Sequence, residues 1–286
     1  MGEKIHFRGR LLATALTLAL SLAFSRGFAA SAAEAAADCG HNAEGFETWL
    51  DSFRQKAAAA GVSRQAIDAA LADVYYDRSV ISHDRGQKVF KQSFEQFSAR
   101  MANSFRVSKG RSLLKKHAAL FRQIEQRYGV PGPVLAAIWG LETDFGAFNG
   151  SFSTIRALAT LAYDCRRAER FRAELLDALR IVDRGDLSPD KMRGAWAGEI
   201  GQTQFMPSSY MKFAVDFNGD GSRDLVHDTA DVLASTANFL HGSGWQAGAG
   251  WDEGEPNFPV LLEWNRAKVY SKTIALLADK IKGDGD

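Results

Sequence analysis

The chain has 286 residues, 46% of them hydrophobic and 24% charged, with a formal net charge of +1. This is ordinary globular composition, long enough for one large domain or two small ones. It excludes a disordered chain or a coiled coil and gives no bulk positive charge to hold nucleic acid.

The first segment reads as a targeting signal. Lys4, Arg8 and Arg10 make a basic start, residues 11–24 carry no charge, and small residues fill positions 29–33. A transmembrane helix needs about 20 apolar residues, and Arg26 ends the run too early, so no stable membrane span is expected. Residues 1–33 are read as a secretory signal cleaved within 30–37, with an uncleaved anchoring signal as the alternative. Cys39 lies well beyond the apolar run and follows Asp38, which argues against a lipid-modified cysteine. Cys39 and Cys165 are the only cysteines. An even count in an exported chain favours a disulfide, although two separate buried thiols are also possible. The positions are 126 apart, and closing such a loop gives roughly 4–5 kcal/mol in the chain-entropy model.

Residues 43–286 are expected to form a single domain. From 43 to 129 the pattern is helix after helix. Phe46, Trp49, Leu50 and Phe53 share a helical face, Gly61 ends that helix, and Ser63 caps the run through Ile67 and Leu71. Phe90, Phe94, Phe97 and Met101 mark a further helix, its stripe read as core. Leu113, Leu114, His117, Leu120, Phe121, Ile124 and Tyr128 mark one long helix with His117 packed in its stripe.

Residues 130–146 place one carboxylate on an apolar helix face. Pro131 or Pro133 suits the first turn and Gly146 is a natural stop. Leu135, Ile138 and Glu142 fall three and four apart, so Glu142 shares a stripe with residues expected to be buried. Burial raises a carboxyl pKa, the tuning that a general acid near neutral pH requires. The alternative is a half-exposed Glu satisfied by a neighbouring Arg or by water. A turn at 149–151 leads to the stripe Ile155, Leu158, Leu161, Ala162 and Cys165. Beside it Arg166, Arg167, Arg170 and Arg172 read as a solvated basic face.

Residues 193–210 mix small residues with amides and hydroxyls, without the charge to bind phosphate or metal, which suits a neutral polyhydroxylated ligand. Residues 216–224, Asp-Phe-Asn-Gly-Asp-Gly-Ser-Arg-Asp, place oxygen ligands at alternate positions and Gly at the sixth, as in a calcium loop. His227 stands at the twelfth position, where a Glu is expected. The candidate ligands are Asp216, Asn218, Asp220 and Ser222, with a metal-free turn as the alternative.

Glu142-Thr143, residues 157–164, and above all Gly-Gln-Thr-Gln-Phe-Met-Pro-Ser-Ser at 201–209 resemble the membrane-bound lytic murein transglycosylase B family. The resemblance covers about Phe46 to the C-terminus and is densest over 130–245. It implies an all-α, lysozyme-like fold with little or no sheet, a goose-type-lysozyme-like core at about 130–245 and extra helices at either end. It also implies a groove for peptidoglycan glycan strands in the periplasm. The single catalytic acid is carried onto Glu142 and substrate binding onto Gln202, Gln204, Phe205, Met206, Tyr210 and Tyr270. No cofactor is needed for catalysis. Some members close a lengthened calcium loop with a later Asp, here Asp231, and such an ion would be structural. Two departures stand out: Ala195 where relatives often carry a Ser near the acid, and Phe239 where they often carry a Tyr. The implied reaction is non-hydrolytic cleavage giving 1,6-anhydromuramoyl ends. A hydrolytic muramidase using Glu199 and a non-catalytic peptidoglycan-binding scaffold are the alternatives.

Overall fold

The computed structural model describes residues 38–86 and 92–283. The signal read from residues 1–33 lies outside these, as does Phe90. The compact body begins at Gly40.

Among the described residues the chain forms thirteen helices: α1 (Phe46–Ala59), α2 (Arg64–Leu71), α3 (Arg78–Gly86), α4 (Phe94–Met101), α5 (Ser104–Lys116), α6 (Ala118–Tyr128), α7 (Gly132–Thr143), α8 (Thr154–Tyr163), α9 (Ala168–Asp183), α10 (Pro207–Phe213), α11 (Thr229–Gly242), α12 (Phe258–Trp264) and α13 (Lys268–Lys282). The only named strands among those residues are β1 (Phe152–Ser153) and β2 (Arg193–Gly194), which pair antiparallel. The all-α expectation holds.

Local chemistry sets most boundaries. The Ser63 hydroxyl accepts the N–H of Ala66 at 3.2 Å, and Ser93 with Gln96 forms a reciprocal capping box before α4. The long helix read across His117 is two. His117 has φ −109° and ψ 28°, and it closes α5 with its N–H on the Leu113 carbonyl while opening α6. A stripe of apolar spacing runs across such a break unseen, because two short helices can face the same core.

Two apolar cores result. One gathers α1–α3 and α8–α10; the other gathers α5–α7 and α11–α13 around α7. In α7 every residue from Val134 to Leu141 is buried, the signature of a helix enclosed on all sides. Phe239 and Trp264 are partly buried and pack against both cores.

Cys39 and Cys165 are disulfide-bonded and no cysteine is free. Beside them Gly40 N–H donates to the Tyr163 carbonyl at 2.9 Å and Cys165 N–H to the Gly40 carbonyl at 3.2 Å. The arginines read as a solvated face do more than face solvent. Asp84 is 1% exposed, and Arg85 and Arg166 pair with it at 2.8 Å, together with Arg167. A buried carboxylate needs such partners, and the i, i+1 spacing of Arg166 and Arg167 gives no sign of an acid 80 residues upstream.

Candidate active site

The end of α7 is where the site begins. The helix stops at Thr143, three residues before Gly146, because Asp144 (φ 52°) and Phe145 (φ 63°) both turn left-handed ahead of it. Each such non-glycine residue costs on the order of 1 kcal/mol. Arg106 offsets this by pairing with Asp144 at 2.6 Å while donating to the Gly140 carbonyl at 3.0 Å. Phe145 lies edge-on to Trp139, ring centroids 5.6 Å apart. The chain therefore turns away sharply just after Glu142 and leaves that side chain at a cleft wall.

Glu142 is partly buried. Its Oε1 accepts the indole N–H of Trp264 at 3.0 Å and the Tyr270 hydroxyl at 2.8 Å. Oε2 has no hydrogen bond among the described residues, so one oxygen is fixed and the other is left to carry a proton. Burial pushes the carboxyl up to about 7; the two donors pull it down, and the Glu199 carboxylate adds to the rise. Burial, then the charge of Glu142, lifts the Tyr270 phenol well above its ordinary range, which keeps it a donor. A carboxyl poised near neutrality can both give and take a proton.

The cleft beside it has a volume of about 680 Å³. Its apolar floor is Phe205, Phe239 and Trp264, packed edge to face with centroids 5.0 to 6.1 Å apart. Met206, Gln204 and Glu199 also line it. Gln204 has φ 52°. Its Oε1 accepts from Ala195 N–H at 3.0 Å, while Nε2 donates to the carbonyls of Asn149 (3.0 Å) and Gly201 (2.7 Å). Ala195 brings no hydroxyl, and Glu142 takes its supporting hydrogen bonds from Trp264 and Tyr270. A separate groove of about 730 Å³, lined by Ser104, Ser108, Ser112, Arg111, Lys115 and Lys280 among others, shares no residue with the cleft.

Two residues expected to bind substrate do not face the cleft. Gln202 is 8% exposed, and its amide is held by Trp139 and by the Val226 carbonyl. Tyr210 is fully buried, with its hydroxyl on the Arg223 carbonyl. Gln202 sits in the motif's loop and Tyr210 on α10 just after it, and both turn inward. Tyr270 meets the acid itself. Trp264 carries no motif in the sequence, and only its hydrogen bond to Glu142 shows its role.

The acidic loop is closed by its own backbone. Asp216 accepts N–H groups of Gly219, Asp220 and Gly221. Asn218 Nδ2 stands between the carboxylates of Asp220 (3.2 Å) and Asp228 (2.8 Å). Ser222 turns out to the Asp186 carbonyl at 3.1 Å. Asp231 is buried, accepts the N–H groups of Phe217 and Asp224, and is pushed up to about 6 mainly by burial. Among the described residues no three His, Cys, Asp or Glu side chains converge as a cation cage.

A family model described as a transglycosylase SLT domain matches residues 45–254. Over 124 residues the chain is 42% identical to membrane-bound lytic murein transglycosylase B of Escherichia coli (strain K12), covering 43% of this chain and 34% of that protein. The match thus spans about a third of that relative's length. The crystal structure of SltB3 from Pseudomonas aeruginosa in complex with NAG-NAM-pentapeptide is similar at 34% identity and TM-score 0.81, over 85% of this chain and 81% of that one. SltB3 is also known in complex with NAG-anhNAM-pentapeptide. Soluble lytic transglycosylase SltB1 of the same organism is similar at 25% identity and TM-score 0.76, over 82% of this chain and 98% of that one.

Proposed function

Because the chain belongs to the transglycosylase SLT domain family, we propose that it is a lytic transglycosylase that cleaves the glycan strands of peptidoglycan without consuming water. The observation that carries this is the asymmetry of Glu142, with Oε1 tied by Trp264 and Tyr270 and Oε2 open beside the cleft. Protonated at Oε2, Glu142 donates to the glycosidic oxygen between N-acetylmuramic acid and N-acetylglucosamine, and the C1–O bond breaks. The resulting carboxylate then takes the proton of the same muramic sugar's C6 hydroxyl, whose oxygen bonds to C1 and closes a 1,6-anhydro ring. The nucleophile is already attached to the substrate, so its effective concentration takes the place of an activated water. Gln204, fixed by three main-chain contacts, is suited to orient the sugar, and Phe205 and Met206 to pack its face. The pairing of SltB3 with NAG-anhNAM-pentapeptide supports the product assignment.

Glu199 favours one competing reading. It is a second carboxyl in the same cleft, raised by burial and accepting the Ala197 N–H at 3.0 Å, and a hydrolase would use such a group to hold water. Digesting sacculi in oxygen-18 water decides between them. The expected products are unlabelled anhydro ends. Label at C1 of the muramic ends would instead establish hydrolysis, and no cleavage in a sacculus zymogram would leave a binding scaffold.

The place of action proposed is the periplasm. Among the described residues no helix is long and apolar enough to cross a membrane, and the leader that would direct export lies outside them. We also propose that the acidic loop takes a structural calcium ion. In the present arrangement the ligands do not form a ready cage, so no catalytic step passes through the ion. The support is the oxygen-rich donor set and the Asn218 amide, whose N–H₂ puts partial positive charge between two carboxylates where a cation would sit. Calcium is expected to release or absorb heat on titration and to raise the melting temperature by a few degrees. No heat and no shift at millimolar calcium would end the idea.

A further inference from the structure

Gln202 is buried beneath the cleft with all four of its polar groups in use. Its Oε1 accepts the indole N–H of Trp139 at 2.8 Å, and its Nε2 donates to the Val226 carbonyl at 2.9 Å. Its backbone N–H donates to the Leu225 carbonyl at 2.9 Å, and its carbonyl accepts the Thr143 hydroxyl at 2.6 Å. Trp139 is one helical turn before Glu142 and Thr143 is the next residue, so the two anchors bracket the acid along α7. The Thr143 oxygen in turn accepts the N–H of Gly146 at 2.9 Å. Gly146 has φ 79°, and a Cβ there would lie 2.4 Å from Gln202 Oε1, so this close approach requires glycine. On the far side, Val226 is itself fixed, its N–H on the Asp224 carboxylate at 2.8 Å.

We propose that Gln202 is a positioning residue for the general acid: a buried amide strut that ties the last turn of α7, on both sides of Glu142, to the segment leaving the acidic loop. This rests on the transglycosylase reading and deepens it, because Gln202 touches no substrate and acts only through the helix end. The strut matters at this place because α7 ends in two left-handed non-glycine residues, which unwind readily if their anchors go. An unwound turn would let water reach Glu142 and would lose the aim of Oε2. The charged and titratable groups around this end of α7 and the cleft are Tyr270 on α13, Glu263 on α12, Arg266 just after it, Glu199 on the loop, Arg167, Arg170 and Glu174 across the cleft, Lys109 on the Asp144 carbonyl, and the Arg106–Asp144 pair. None of them is bonded to Gln202, so its replacement changes hydration and geometry at Glu142 while leaving these charges in place.

Gln202→Met keeps length and volume and removes both side-chain hydrogen bonds, and Thr143→Val removes only the hydroxyl anchor. On sacculi, Gln202→Met is expected to lose about tenfold in kcat with KM within twofold of the unaltered chain, and the alkaline limb of its pH profile is expected to move down. Thr143→Val is expected to move both the same way by less, which keeps the test open if the first variant does not fold. A readout free of activity accompanies these. The stability gain from Glu142→Gln, followed against pH, begins near the unfolded value in both backgrounds, but in the Gln202→Met background it is expected to level off at lower pH and at a smaller size, since a hydrated Glu142 has a folded value nearer the unfolded one. A lowered melting temperature with kcat, pH profile and that levelling-off unchanged would make Gln202 merely structural and overturn the proposal. A raised KM with kcat unchanged would overturn it too, in favour of substrate contact. Absence of cleavage by the unaltered chain would sink the transglycosylase reading alone, because the levelling-off of the stability gain still reports on the strut.

Discussion

Glu142→Gln is expected to fold, to cleave glycan at least ~100-fold more slowly than the unaltered chain, the low end for loss of a general acid–base group, and to be the more stable protein at alkaline pH. The two halves of this result have one cause. The carboxyl is held in a setting that penalises its charge, so its value rises from 4.5 to about 7 in the folded chain. Between those values the folded state keeps a proton that the unfolded state releases, so stability falls as pH rises across the window. The shift sets a ceiling of about 3 kcal/mol on what the ionised carboxylate costs the fold above pH 7. Gln carries no charge at any pH, and its amide oxygen can still accept from Trp264 and Tyr270. Denaturant unfolding of both proteins at about pH 4 and about pH 8 checks this: equal stability at the lower value and a more stable variant at the higher. A variant no more stable at pH 8 would mean that Glu142 is well hydrated and that its proton is not poised for catalysis.

What the sequence made legible follows the range of the interactions involved. Pro131 and Pro133 at the start of α7, the Ser63 cap and the apolar spacing around Glu142 act within a turn or two of chain, and each is found where its pattern placed it. The helix break at His117 and the early stop of α7 at Asp144 and Phe145 were not legible. The second depends on a partner distant in sequence, Arg106 on Asp144, and the first lies in the backbone angles of one residue, φ −109° and ψ 28°. The site divides the same way. Glu142 and Gln204 stood out through motif and setting, and both line the cleft. Gln202, in the same motif, and Tyr210, just after it on α10, face inward, where their polar groups are held by Trp139, Val226 and Arg223. Trp264 had no signal at all: an indole at the end of a short helix is ordinary core until its N–H is found on Glu142 Oε1.

Tyr270→Phe is expected to move the pH profile the opposite way from Gln202→Met, and this difference in sign separates the two roles. The phenol donates to Glu142 Oε1 at 2.8 Å and stabilises the ionised form; Trp264 does the same at 3.0 Å. A hydrogen bond to a charged group contributes on the order of 1.5–3 kcal/mol, so losing the phenol raises Glu142 further above about 7, by roughly one unit. Activity needs the protonated acid, so the alkaline limb moves up. The rate at the optimum nevertheless falls, by about tenfold, because the carboxylate left after proton transfer has lost a donor and the carboxyl is freer to rotate. Trp264→Phe is expected to act in the same direction. The double variant should lose more than the sum of the two, since either donor alone still fixes Oε1, while losing both lets the two oxygens exchange places. The check is kcat/KM against pH for the three variants beside the unaltered chain. An alkaline limb that stays in place or moves down in Tyr270→Phe would show that the phenol serves the substrate and not the acid.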